Sequence, residues 1–245
     1  MTRSFSEIVW MLIELYRANH KVTDSIDERL FASWVQETRA ELIKQRLNES
    51  MRTINPHWIQ NLGLVEMEPV NSTLHLDAVA STTSSKRILR SVEDIPWTIH
   101  SKGAPGTFAW IGPADGTERG FSLVTKERAM NSGNGKFNKH FIYAYLENKK
   151  LCITSKAGLH KQIKYINVQG VFENPAEAYE FKTGLEYDWE LEYPISEEIL
   201  RTLKNMVKQD NFPHIMVPID DKKANSMDNV SNPPPESSGE IPIET

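Results

Sequence analysis

The stretch from Phe141 to Phe172 constrains this chain most. It reads FIYAYLENKKLCITS, a short basic connector, then IKYINVQGVF. No other region is as dense in apolar, β-branched and aromatic residues. Phe141–Leu146 and Leu151–Thr154 read as two strands, joined by the polar turn Glu147–Lys150, an ordinary hairpin length. Ile163–Phe172 reads as a third strand, reached through Lys156–Gln162. A three-stranded meander has two open edges and at least one apolar face, so other elements must cover it.

The N-terminal third supplies helices. Ser4 with Glu7 forms a capping box for a helix over Phe5–Asn19. Its apolar face is Phe5, Ile8, Val9, Leu12, Ile13 and Tyr16. Ser25 with Glu28 repeats the box for a helix over Ile26–Asn48, roughly 35 Å long. Its core stripe reads as Ile26, Leu30, Phe31, Trp34, Val35, Leu42, Ile43 and Leu47, with Glu37, Arg39, Glu41, Lys44, Gln45 and Arg46 on the opposite, solvated face. The short polar link between the helices predicts a hairpin.

Asn55-Pro56 pairs a cap with a first-turn proline and opens a short helix that Gly63 closes. Leu64–Val70 alternates as a strand, and Pro69 marks its end as an edge. A short strand is expected near Leu74–Val79, and edge-like elements at Ile88–Val92 and Ile95-Pro96. Gly112-Pro113 and Asp115-Gly116 flank the apolar run Phe108–Ile111 as turn signals. A helix-like segment runs from Ser122 to Met130, and SGNGKF follows it. Asn174-Pro175 opens an acidic helix ending at Gly184, and Ser196 opens a last helix through Gln209.

These signals give an α+β fold: a helical hairpin (4–50) packed on a mainly antiparallel sheet (64–172), further short helices (175–209), and an extended arm (211–245) after a domain of residues 1–210. The arm is rich in Pro, Ser, Asn and Asp and cannot pack a core alone. Its apolar islands are Ile215-Met216-Val217, Ile219, Ile241 and Ile243. As a free coil it spans on the order of 30–35 Å. It reads either as a disordered tail or as an arm whose islands dock on another subunit.

Charge narrows the function classes. The net charge of −5 argues against a dedicated nucleic-acid binder. The charge is unevenly spread: Lys102–Lys164 holds eleven Lys or Arg against four acids, whereas Glu173–Glu198 holds nine acids against Lys182 alone. Two solvated faces explain this, and so does head-to-tail complementarity between copies. The lone Cys152 excludes internal disulfides and reads as a buried packing residue. No apolar run approaches a membrane span. The N-terminus carries Glu7 and Glu14 in its apolar stretch and lacks a small-residue cleavage site, so no secretory signal is expected.

Catalytic and metal motifs are missing. The seven histidines, at 20, 57, 75, 100, 140, 160 and 214, do not pair at metal-ligand spacing, and there is no Cys-x-x-Cys. SGNGKF lacks the spacing of a phosphate loop, and Phe137 stands where a magnesium-binding Ser or Thr belongs. It reads instead as a glycine-hinged loop presenting Lys136, Asn138 and Lys139 to phosphate or an acidic surface. The carboxylate pairs Glu66/Glu68 and Glu190/Glu192 follow from alternation in extended chain. No enzymatic constellation stands out, and no cofactor is expected.

The blocks SLVTKERAMNSGNGKFNKHFIYAYLENKKLCITS, YINVQGVFENP and YPISEEILRTLKNMV, behind an N-terminal helix pair, carry a resemblance. Over residues 4–210 the chain resembles ring or connector proteins of the neck of crAss-like tailed phages. More loosely it is similar to the helical-hairpin-plus-β arrangement of podoviral gatekeepers. The resemblance implies a virion structural protein made in the host cytoplasm. It implies a homo-oligomeric, dodecameric ring around a channel through which genomic DNA passes without sequence-specific contact. Portal and adjacent neck or tail proteins are the implied partners. The expected contact residues are Lys136, Asn138 and Lys139 of the basic loop, Glu177 and Glu180 of the acidic helix, and the islands Ile215, Met216, Val217, Ile219, Ile241 and Ile243. A nucleic-acid-associated protein using the basic block 126–164 is the alternative, and a small enzyme with a pocket under the sheet is a third reading.

Overall fold

A computed structural model describes residues 3–20, 27–49, 54–70, 88–100, 106–116 and 119–215. Ser25, Ile26, the Leu74–Val79 expectation, Met216, Val217, Ile219, Ile241, Ile243 and the side chain of Ile215 lie outside the described part.

Helix α1 runs Phe5–His20 and α2 runs Glu28–Glu49. The Ser4 hydroxyl accepts the Glu7 amide, as a capping box requires. All six residues of the expected α1 face are buried. On α2, Phe31, Ala32, Val35, Leu42, Ile43 and Leu47 face inward. Leu30 does not, being 40% exposed, and Trp34 is half-buried against Phe31, their rings 5.2 Å apart. The Asp27 carboxylate accepts the Arg29 amide in the first turn. Helix α5, Glu197–Met206, adds Ile199, Leu200 and Leu203 to the same cluster. Each such side chain contributes about 1.5–3 kcal/mol on burial, so this three-helix contact is a core in its own right.

The expected end of the last helix near residue 209 is passed. A π-helical turn, Val207–Asn211, leads into α6, Phe212–Ile215. Phe212 is buried against Tyr16 and Phe31, ring centroids 5.1 and 6.1 Å away. Packing therefore continues beyond the compositional break at Asn211.

The sheet has seven strands: β1 Gln60–Pro69, β2 Leu89–Ser91, β3 Phe108–Pro113, β4 Ser122–Leu123, β5 Tyr143–Glu147, β6 Lys150–Thr154 and β7 Tyr165–Gly170. Their spatial order is β3-β7-β1-β2-β6-β5-β4. Every pairing is antiparallel except β4 with β5. The hairpin β5–β6 forms, but Glu147 and Lys150, expected in a four-residue turn, pair with each other as strand residues. Asn148 and Lys149 both take positive φ, 50° and 62°, so the turn is the tight two-residue kind whose twist matches the strands. The third strand departs from the meander. β7 is not beside β6; it lies between β3 and β1, with β1 and β2 intervening.

Two further expectations change. Asn55 caps only a 3₁₀ turn, Pro56–Trp58, and Gly63 does not close a helix. Gly63, at φ 77°, sits within β1 where the register with β7 slips between Asn61 and Leu64. This bulge keeps Leu62, Val65 and Met67 on the inner face. The helix-like run from Ser122 divides into β4 and a short helix α3, Lys126–Asn131, capped by the Thr125 hydroxyl.

The two end strands approach each other. The Phe121 amide donates to the Ile111 carbonyl of β3 at 2.6 Å, and Ser122, the next residue, opens β4. The sheet so rolls around an inner cluster that includes Leu62, Val65, Ile111, Ala144, Ile153, Ile166 and Val168. Alternate residues of β5 and β6 (Tyr143, Tyr145 and Cys152) point the other way, where Ala129 and Met130 of α3 cover them. Helix α4, Pro175–Thr183, sets Ala178 and Phe181 against the inner cluster.

Candidate interaction surfaces

Two oppositely charged surfaces lie on opposite sides of the sheet. The basic one is the loop 132–140. Gly133 has φ 84°, and a Cβ there would meet Lys156 Cγ at 2.8 Å and Tyr143 Cε2 at 3.6 Å. Only glycine lets the chain turn this close to the sheet. The Lys139 carbonyl accepts the Ala157 amide at 3.2 Å, and Tyr143 Oη lies 3.5 Å from the Asn138 carbonyl. The loop is therefore held on the Tyr143 side. Lys136, Asn138 and Lys139 are exposed, and neither lysine is ion-paired among the described residues. Phe137, between them, is 84% exposed, more than any other described large apolar residue. From sequence, the aromatics interleaved with basic residues at Phe137, His140, Phe141, Tyr143 and Tyr145 read most cheaply as strand alternation into a core; Phe137 instead stands out in solvent.

The acidic surface begins on α4. Asn174 accepts the Ala176 amide, and Gly184 ends the helix in the left-handed conformation. Glu177 and Glu180, three residues apart, share its exposed face. The following segment alternates. Tyr187, Trp189, Leu191 and Tyr193 turn inward, and Glu186, Asp188, Glu190 and Glu192 are exposed. Its inward side clamps the start of α1. The Leu191 and Trp189 carbonyls accept the Phe5 and Ser6 amides, at 3.3 and 2.9 Å. Phe5 packs among Tyr187, Trp189 and Tyr193, with ring centroids 4.8–6.1 Å apart. Leu185, between helix and segment, is 64% exposed.

Arg39 anchors this arrangement from within. The sequence reading put it on the solvated face of α2; it is fully buried. Its Nε donates to the Pro194 carbonyl at 2.9 Å and a terminal nitrogen donates to the Phe172 carbonyl at 3.0 Å. Its guanidinium lies 5.5 Å from the Tyr193 ring centre. Desolvation lowers the Arg39 pKa, and the neighbouring tyrosines oppose that. Burial also pushes the Tyr187 phenol up to about 12 and raises that of Tyr193. One side chain thus ties α2 to the end of the sheet and to the acidic segment.

A cleft of about 830 Å³ opens where the sheet fails to close, lined in part by Arg119, Phe121, His140, Phe141, Leu159 and Tyr165. None of its described lining residues is Ser, Thr or Cys. Cys152 is buried elsewhere, its thiol pushed up to about 11, first by desolvation. Among the described residues no group of His, Cys, Asp and Glu is placed to hold a metal, and no helix is long and apolar enough to cross a membrane.

Among the described residues, the organised surface features of this α+β chain are charge and exposed apolar side chains on opposite sides of a rolled sheet. The comparison with known families is specific: residues 7–230 match the model of phage tail ring protein 2, and the chain belongs to this family of crAss-like phage ring proteins. It is a structural protein of the phage tail ring. No curated protein matches the chain.

Proposed function

We propose that copies of this chain close into a ring in the head-to-tail connector, between portal and tail, around the channel that DNA traverses. The family match over residues 7–230 carries this reading. The match extends past α6 into residues 216–230, which supports the arm as a working part of the subunit. The placement of the two charged surfaces supports a heterologous contact, in which one face of a copy meets a different face of the next. Trp10, 49% exposed on α1, and Leu30 on α2 give the helix pair apolar points for lateral packing. The net charge of −5 suits a dodecameric ring through which DNA slides without sticking, because an acidic wall releases no counterions on contact. Structural rather than catalytic work follows from the same assignment.

A nucleic-acid role has one observation in its favour: Phe137 between Lys136 and Lys139 has the make-up of a base-stacking platform. The two readings separate in a phage that lacks this gene product. The connector reading expects DNA-filled heads without functional tails. Normal tailed particles would reject it. Salt-sensitive binding of single-stranded DNA by the free protein, lost in Phe137→Ala, would favour the alternative.

A further inference from the structure

We propose that the Phe137 loop of one copy docks on the α4–Leu185 surface of the next, so that this contact propagates the ring. The inference rests on the ring reading above. Phe137 is an 84% exposed aromatic on a loop whose backbone is fixed by Gly133, Tyr143 and Ala157. A rigid, solvent-facing aromatic loses little entropy on binding, as interface anchors require. Its flanks are cationic: Lys136 and Lys139, with Lys156 beside Gly133.

The surface with matching chemistry is the one around Leu185, itself 64% exposed. Glu177 and Glu180 lie on the exposed face of the helix before it and Glu186 follows it, and none of the three is ion-paired among the described residues. Lys182 is the contrary charge there, and it lies against Gly63 of β1. The two surfaces cannot meet within one copy. α3 and the loop lie on the Tyr143–Tyr145 side of the sheet, and α4 packs on the inner cluster. The occupant with complementary charge and an exposed apolar anchor is a second copy. Because the two surfaces lie on opposite sides of the sheet, two copies cannot satisfy both at once, and the contact repeats head to tail around a ring.

The test uses assembled particles carrying Phe137→Cys with Leu185→Cys. Both positions are exposed, so folding is spared, and the buried Cys152 stays silent. A short bismaleimide is expected to give a ladder of multimers that neither single variant gives. An absent ladder, with glutaraldehyde still linking copies of the same double variant into multimers, overturns the contact and leaves the ring. Absence of both ladders overturns both. A charge exchange gives a second arm. Lys136→Glu with Lys139→Glu, and separately Glu177→Lys with Glu180→Lys, are each expected to lower assembly about tenfold or more. Mixing the two variants restores it, because alternating copies regain opposite charges at every contact. A mixture that stays unassembled overturns the proposal.

Discussion

Arg39, buried on α2, ties three parts of the fold together. Truncation to Ala leaves the Phe172 and Pro194 carbonyls unpartnered and a cavity between three elements. Arg39→Ala is expected to lose about 3–5 kcal/mol in a denaturant titration. Arg39→Lys recovers less than half, because a single ammonium cannot reproduce the guanidinium fork. Sequence hid this residue for a physical reason. It stands between Glu37 and Glu41 in a polar run, and its acceptors come from 133 and 155 positions away. Cys152 was legible, since a lone cysteine within a strand pattern packs. Its thiol is raised from an ordinary 9.0 to about 11, so the folded state resists ionisation more than the unfolded state does. The stability this represents is complete below the unfolded value and is lost as pH rises toward the folded one. Between pH 9 and 11 the wild type should lose stability more steeply than Cys152→Ala.

At the scale of elements, the helices were legible because their signals are local. Capping residues and the 3.6-residue period placed α1, α4 and α5 within a few positions. Strand partners were not legible. The run that forms β7 is as apolar as a third meander strand, yet its partners are β1 and β3. Nothing in Ile163–Phe172 itself encodes that choice, because a strand buried in a sheet interior reads the same beside any neighbour. The loop was legible as a glycine-hinged basic loop, but Phe137 read as part of a core-facing alternation, since exposure of an aromatic has no local signal. Gly133→Ala tests the hinge. The left-handed backbone and the Lys156 contact together should cost about 1–2 kcal/mol. Faster amide exchange confined to residues 132–140 would accompany it. An unchanged melting midpoint with unchanged exchange would mean the loop is held otherwise.

For the whole molecule, the sheet and the helix cluster form a base that presents two charged surfaces. The acidic surface was half visible: Glu177 and Glu180 stood out by composition, whereas the row from Glu186 to Glu192 needed the inward aromatics to show which side it occupies. Truncation separates folding from assembly. Ending the chain after Ile215 keeps Phe212 against Tyr16 and Phe31, so the melting midpoint should hold while incorporation into particles falls. Ending it after Asp210 removes Phe212 as well and should cost about 3 kcal/mol or more. The central claim is that this family member works as one copy in a closed ring. Image reconstruction of the phage particle tests it most directly. The account predicts a closed ring of this chain between head and tail, with residues 132–140 of each copy against residues 177–192 of the next. A reconstruction in which the chain is absent from the particle, or present without a closed ring, would contradict it.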